Sequence, residues 1–193
     1  MCDGIAPELR RMTGRRFSQA ISEGDGISVV AEVNGADSAR QAEEAGAEGV
    51  LVHAHSAHEL GAIREAVSVP VLVHWAGAHA RVDGADACIV DLDNWSESAG
   101  EVELAVRVED EEQLEEALEK FDPELFVLAG RNDDPLEGVL DLLPDVPAGK
   151  LAIADLPATT RADVDELERA GVDAVIVRAG NIAELIGETP PEV

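Results

Sequence analysis

Three times along this chain a stretch with helical spacing stops at a glycine, an acidic residue follows two positions later, and an apolar run begins. The copies are Ala45-Gly46-Ala47-Glu48-Gly49-Val50, Asp83-Gly84-Ala85-Asp86-Ala87-Cys88 and Ala170-Gly171-Val172-Asp173-Ala174-Val175. Glycine suits the left-handed position that closes a helix. An apolar run without polar alternation suits a strand buried on both faces. Eight such strands can be placed: Ile27–Val33, Val50–His53, Val71–His74, Ala87–Asp91, Leu104–Val108, Leu125–Ala129, Leu151–Asp155 and Ala174–Val177. Their starts recur every ~20 residues, the length of a short crossover unit. Strands alternating with helices imply a parallel sheet, and eight units imply a closed α/β barrel of the (β/α)8, or TIM, type. A doubly wound open sheet is the alternative, but no Gly-x-Gly-x-x-Gly follows the first strand.

The helices are marked by their starts. Ser56-Ala57-His58-Glu59 has the form of a capping box before Leu60, Ile63 and Val67, and Asp110-Glu111-Glu112-Gln113 has it before Leu114, Ala117, Leu118 and Phe121. Thr160 opens another helix, with Val164 and Leu167 inward. The barrel reads as trimmed. The helix after the third strand has room for about two turns, around Ala78–Val82. Between the fourth and fifth strands lies only Asn94-Trp95-Ser96-Glu97-Ser98-Ala99-Gly100-Glu101, so helix 4 is expected to be missing. Residues 1–193 form one expected domain, with 1–14 a loosely ordered N-terminal segment.

The formal net charge is -27, from 41 acidic and 14 basic residues, and only Lys120 and Lys150 of the basic ones are lysines. Self-repulsion at that charge destabilises a compact state, and high salt screens it. Many carboxylates, almost no lysine and few aromatics resemble proteins of halophiles that accumulate salt; an unusually acidic protein of ordinary salt is the alternative. The charge argues against nucleic acid and anionic membranes as partners. No apolar run reaches the ~18 residues of a membrane span, and MCDGIAPELRRM lacks the apolar stretch of a signal peptide. Cys2 and Cys88 do not make a disulfide framework. A cytoplasmic location is expected.

Active sites of such barrels sit at the C-terminal ends of the strands. Side chains alternate along a strand, so residues in phase with Glu32 and His74 are expected to face inward. That set includes Leu51, His53 and His55, then Ile89, Asp91 and Asp93, then Asp155. His53, His55, His74 and Asp91 together make a candidate site for a divalent metal such as zinc, with a hydrogen-bonded polar cluster as the alternative. Arg178-Ala179-Gly180-Asn181 leads into a helix at Ile182–Ile186. Arg178, Gly180 and Asn181, with Arg131 on the same rim, form a candidate phosphate site; pairing of Arg178 with a carboxylate is the alternative. Trp75 and Trp95 flank the mouth, either to stack on a flat substrate or to cover the gap left by the missing helix.

Gly26-Ile27-Ser28-Val29-Val30-Ala31-Glu32-Val33 resembles the first strand of indole-3-glycerol phosphate synthase, and so does the run from Ala105 to Leu114 in its place. Arg131-Asn132 is similar in part to that family's segment after the sixth strand. The resemblance covers roughly residues 15 to 186 and implies a metal-free lyase of tryptophan biosynthesis that closes an indole ring on a phosphorylated substrate. Position by position, the acid of the family's Glu-x-Lys is kept as Glu32, but the lysine is Asn34. The general-acid lysine of the third strand is replaced by His74, and the glutamate of the fifth by Arg107. The sixth strand's asparagine becomes Ala129, with Arg131 retained. The seventh strand's Glu-Ser-Gly becomes Asp155-Leu156-Pro157, and the eighth strand's phosphate-binding Gly-Ser or Gly-Glu becomes Arg178-Ala179. Ring closure needs a proton donor and a second acid–base group, and most of that set is gone.

The expected function is therefore a divergent barrel of this group. It binds or converts a small phosphorylated metabolite by a reaction other than the family's, with lyase or isomerase chemistry if it is an enzyme. Glu32, His74 and Asp155 would transfer protons, and Arg131 and Arg178 would hold the phosphate. The alternatives are a metal-dependent lyase or hydrolase at the histidines, and a non-catalytic paralogue that binds a metabolite or a partner protein. A homodimer is also expected, because Cys88, Val90 and Leu92 on the fourth strand and Val106 and Val108 on the fifth should point outward where a helix is missing.

Overall fold

The computed structural model describes residues 17–23, 26–75, 84–94, 102–130, 133–157, 159–178 and 182–186. Eight strands form a closed barrel in sequence order, each parallel to its neighbours. They are β1 (Ser28–Val33), β2 (Gly49–His53), β3 (Val71–His74), β4 (Ala87–Asp91), β5 (Glu103–Val108), β6 (Leu125–Leu128), β7 (Leu151–Asp155) and β8 (Ala174–Val177). Each expected strand is present, with ends shifted by at most one residue. The helices are α1 (Phe17–Ser22), α2 (Ala36–Glu44), α3 (Leu60–Ala66), α4 (Glu111–Lys120), α5 (Pro135–Leu142), α6 (Arg161–Ala170) and α7 (Ile182–Ile186).

Alternation along the strands divides the apolar side chains into two layers. Val30, Leu51, Leu72, Ile89, Ala105, Val127, Ile153 and Ile176 fill the inside of the barrel. Val29, Val52, Val73, Val90, Val106, Phe126, Ala154 and Val175 face outward, and Ile63, Leu114, Val139 and Leu167 of the helices pack in the same outer cluster. Phe17 and Ile21 of α1 belong to the inner layer, so this short helix plugs the end of the barrel opposite the strands' C-terminal tips. The plug is tied in place where the Ser18 amide donates to Glu103 at 3.0 Å. Its sequence, FSQAIS, is too short to show helical periodicity.

The repeated glycines do what their position requires. Gly46, Gly84 and Gly171 adopt φ of 99, 103 and 95°, the left-handed region that a side chain disfavours. The acidic residue two positions later has a role the repeat alone does not reveal. Asp86 accepts from the amide of Val71 at 2.8 Å and pairs with Arg64, and Asp173 accepts from the amide of Ala152 at 2.8 Å. Glu48 accepts from the Ser28 hydroxyl. Each carboxylate thus fastens the start of a neighbouring strand at the plugged end.

Asp173 offers a test. Burial pushes its carboxyl above the ordinary value of 3.8, against the lowering effect of its backbone hydrogen bonds. A raised folded pKa means the native state holds the proton more tightly than the unfolded chain. The charged group therefore costs stability as pH rises from about 3.8, and that cost is complete above the folded pKa. Asp173→Asn keeps an acceptor for Ala152 without the charge. It is expected to match or exceed the parent at neutral pH, whereas Asp173→Ala should lose about 1–2 kcal/mol. Denaturant melts at pH 7 check both.

The helix starts agree only in part with expectation. Thr160 and Asp163 form a reciprocal capping box at α6. Asp110 caps α4, but Gln113 reaches back to the amide of Glu109 rather than to that of Asp110. Ser56 is no cap. The chain enters a 3₁₀ turn, Ala54–Glu59, directly after β2, so Ser56 is already helical and α3 continues from that turn. At α5 the Asp134 carboxylate accepts from the Glu137 amide and Pro135 takes the first turn, a signal the sequence carried openly.

After β4 the described chain enters a 3₁₀ turn, Leu92–Asn94. The short helix expected around Ala78–Val82, most of the 94–101 connection and the 1–14 segment lie outside the described residues. Cys88, Val90, Val106 and Val108 do point outward, yet all four are fully buried within the single chain. Trp75 joins that cluster with 1% exposure, and its amide donates to the Ile89 carbonyl at 2.9 Å. The tryptophan therefore packs in the outer layer beside β4 and is not a stacking platform in the mouth. The bare apolar face that motivated a dimer is absent at these four side chains. Burial also pushes the Cys88 thiol up to about 12, leaving it protonated and inert.

Candidate active site at the barrel mouth

The final inward position of a barrel strand looks into the mouth. In this chain that position is ionisable at nearly every strand: Glu32 on β1, His53 on β2, His74 on β3, Asp91 on β4, Arg107 on β5 and Asp155 on β7, with Arg178 just past β8. β6, which ends at Leu128 and is followed by Ala129 and Gly130, contributes none among the described residues.

These side chains touch in a closed circuit. Glu32 Oε1 lies 3.2 Å from His53 Nε2, and Glu32 Oε2 lies 3.3 Å from Arg178 Nε. Arg178 donates to Asp155 Oδ1 at 2.6 Å and to the Leu156 carbonyl at 2.7 Å. The other oxygen of Asp155 is 3.5 Å from Arg107 Nε. Arg107 donates to Glu109 at 2.6 Å and sits 3.9 Å from Asp91. Asp91 lies 3.4 Å from His74 Nε2, and the His74 ring centre is 5.6 Å from that of His53, which closes the ring. Burial alone would pull the Arg107 guanidinium down. The hydrogen bond to Glu109 and the charges of Asp155, Glu109 and Asp91 together raise it above its ordinary value.

The three expected proton-transfer residues, Glu32, His74 and Asp155, therefore share one network. Arg107 stands at its centre and was missed as a functional residue. The resemblance presents it only as the replacement of a family glutamate, although strand alternation places it two residues past the inward Ala105. His55 and Asp93 do not face inward. The strands give way to 3₁₀ turns at Ala54 and Leu92, so the two-residue period stops, and both side chains are exposed. His55 instead stacks on His53, with ring centres 5.7 Å apart and planes 8° from parallel. Ring-nitrogen lone pairs lie in the ring plane, so two parallel rings do not aim at one ion. Among the described residues no three histidine, cysteine or acidic side chains are arranged to hold a metal. Arg178 is engaged by Glu32 and Asp155, which is the pairing held open as the alternative to a phosphate contact. Arg131, Gly180 and Asn181 lie outside the described residues, as does Trp95.

Gly130, at the rim after β6, brings α5 against the mouth. A Cβ there would stand 2.2 Å from the Pro135 carbonyl oxygen, so no other residue fits without moving backbone.

No family model matches this chain. Solved structures do resemble it. Thiamine phosphate pyrophosphorylase from Pyrococcus furiosus superposes with a TM-score of 0.62 at 18% identity, over 82% of this chain and 89% of that one. Phosphoenolpyruvate phosphomutase from Streptomyces platensis subsp. rosaceus gives 0.64 at 14% identity, over 83% and 79%. These likenesses show the fold. At such identities they assign no activity, and the resemblance to indole-3-glycerol phosphate synthase likewise reaches only as far as the barrel. Among the described residues no helix is long and apolar enough to cross a membrane.

Proposed function

We propose that the mouth of this barrel binds a small phosphorylated metabolite and acts on it by acid–base chemistry, in a reaction other than indole-3-glycerol phosphate synthesis. The observation that carries this reading is the closed circuit of Glu32, Arg178, Asp155, Arg107, Asp91, His74 and His53 at the end of the barrel where such enzymes work. A purely structural barrel has no need for ionisable residues at the last inward position of nearly every strand. Both solved likenesses are, by their names, enzymes of phosphorylated compounds. Arg178, its side chain 38% exposed, is the described cation best placed to meet a phosphate, by exchanging one of its carboxylate partners for the ligand.

A panel of phosphorylated metabolites and their unphosphorylated counterparts, screened by thermal shift in high salt, tests the proposal. A ligand at about 100 times its Kd stabilises by about 2.7 kcal/mol, or roughly 5–10 °C for a chain of this size. The shift is expected for a phosphorylated compound and is expected to fall at least tenfold in apparent affinity in Arg178→Ala. A panel that leaves the melting temperature unmoved would remove the proposal. Zinc and a chelator belong in the same screen, because a metal-dependent site predicts opposite shifts for the two. A shift with the phosphorylated ligand but no turnover would favour the non-catalytic paralogue.

A further inference from the structure

His53 and His74 occupy paired register positions on adjacent strands, and their rings stand 5.6 Å apart at an angle of 54°. Each has its own carboxylate at Nε2, Glu32 for His53 at 3.2 Å and Asp91 for His74 at 3.4 Å. About a quarter of each side chain is open to the mouth, 25% for His53 and 26% for His74. The site thus holds two histidine–carboxylate dyads side by side on adjacent strands. A carboxylate on Nε2 keeps the proton there in the neutral ring and leaves the Nδ1 lone pair as the base. It also stabilises the imidazolium once a second proton arrives.

We infer that His53 and His74 form a reciprocal acid–base pair that isomerises a hydroxy-carbonyl compound by moving one proton between adjacent carbons, an inference that rests on the proposed metabolite site and names its chemistry. The neutral ring removes the proton from the carbon next to the carbonyl. That C–H pair becomes the new C=C bond, and the carbonyl π pair takes a proton from the charged ring, giving an enediol. The roles then reverse: the ring that gave its proton removes one from the neighbouring hydroxyl, and the other ring returns its proton to carbon. Atoms and electrons balance within substrate and the two rings, with no oxidant or reductant. The reacting carbonyl oxygen and the adjacent carbon lie about 2.4 Å apart from ordinary bond lengths, and the two ring centres stand 5.6 Å apart. A lone histidine would have to supply both protonation states itself. Here each ring meets a different carboxylate, Glu32 or Asp91.

The probe is a panel of phosphorylated aldoses and ketoses of three to five carbons, with their unphosphorylated counterparts, incubated with the full chain in deuterated high-salt buffer. Proton NMR reads deuterium entering the carbon next to the carbonyl. One phosphorylated member is expected to exchange. His53→Gln and His74→Gln should each lower that rate by about 100-fold or more, the usual worth of a general acid or base. His58→Gln, exposed on the 3₁₀ turn, should leave it unchanged. Imidazole added to His53→Ala should restore part of the exchange, which a merely structural role would not allow. Thermal melts of each variant confirm that it folds. Binding of a phosphorylated member without exchange would overturn the acid–base pair and leave the metabolite site standing. Exchange that survives both histidine substitutions would also overturn it. Neither binding nor exchange would remove both readings.

Discussion

Lowering the salt from about 2 M to 0.1 M is expected to cost this protein 10 °C or more in melting temperature. At roughly 2–4 °C per kcal/mol for a chain of this size, that is several kcal/mol. The cause is an excess of 27 negative charges on 193 residues. At about 0.1 M salt the Debye length is near 10 Å and neighbouring surface carboxylates feel one another; near 1 M it falls to about 3 Å and they do not. Salt also strengthens apolar burial, so the two effects need separating. Glu44, Glu115, Glu119 and Glu166 are exposed on three different helices. Changing all four to glutamine leaves the core untouched and removes four charges. If repulsion is the cause, the variant melts higher than the parent in low salt and the two converge in high salt. A parent melting temperature indifferent to salt between 0.1 and 2 M would dismiss the idea. Equal slopes for parent and variant would assign the salt effect to apolar burial instead.

The barrel was legible because its signals are local and repeated. A left-handed glycine, an acid and an apolar run recur in three of the eight units, and the two-residue alternation assigns Glu32, His53, His74, Asp91 and Asp155 to the inside without reference to any neighbour. A local rule fails where it is carried past its range. Strand phase does not extend to His55 and Asp93, whose backbone has already turned into 3₁₀ geometry. Ser56 fits the capping pattern in spacing, but a cap needs extended backbone, and here His53 holds that place. Contacts between distant segments were not legible at all. The amide that Asp173 fastens belongs to Ala152, and the carboxylate that Arg178 meets belongs to Asp155, each more than twenty positions away. Trp75 could be placed at the end of the third strand, but its inclusion in the outer layer follows from the closure of β3 against β4.

Arg107→Met should be the most damaging single change at the mouth, at about 2–4 kcal/mol of folding stability. Methionine keeps much of the side chain's length and removes the charge. What remains is Asp155, Glu109 and Asp91 converging on the vacated position, at 3.5, 2.6 and 3.9 Å from where the guanidinium stood. Removing one partner from a buried ion pair costs about 3–5 kcal/mol, because the survivor keeps its desolvation penalty. The Arg107 side chain is 26% exposed, so the lower part of that range applies. Asp155 decides how far salt can help. Its side chain is only 11% exposed, and ions in solution screen a charge so placed far less than they screen the helix surfaces. The deficit should therefore persist in 2 M salt, unlike the effect of the four surface glutamates. Asp155→Asn introduced into Arg107→Met should recover about 1 kcal/mol or more, since the charge left unpaired is then gone, while Asp155→Asn alone should destabilise. Denaturant melts of the four-member cycle in high salt supply the coupling energy. A cycle that closes within about 0.5 kcal/mol would show that Arg107 and Asp155 act independently. The circuit would then be a row of separate charges rather than one network spanning the mouth.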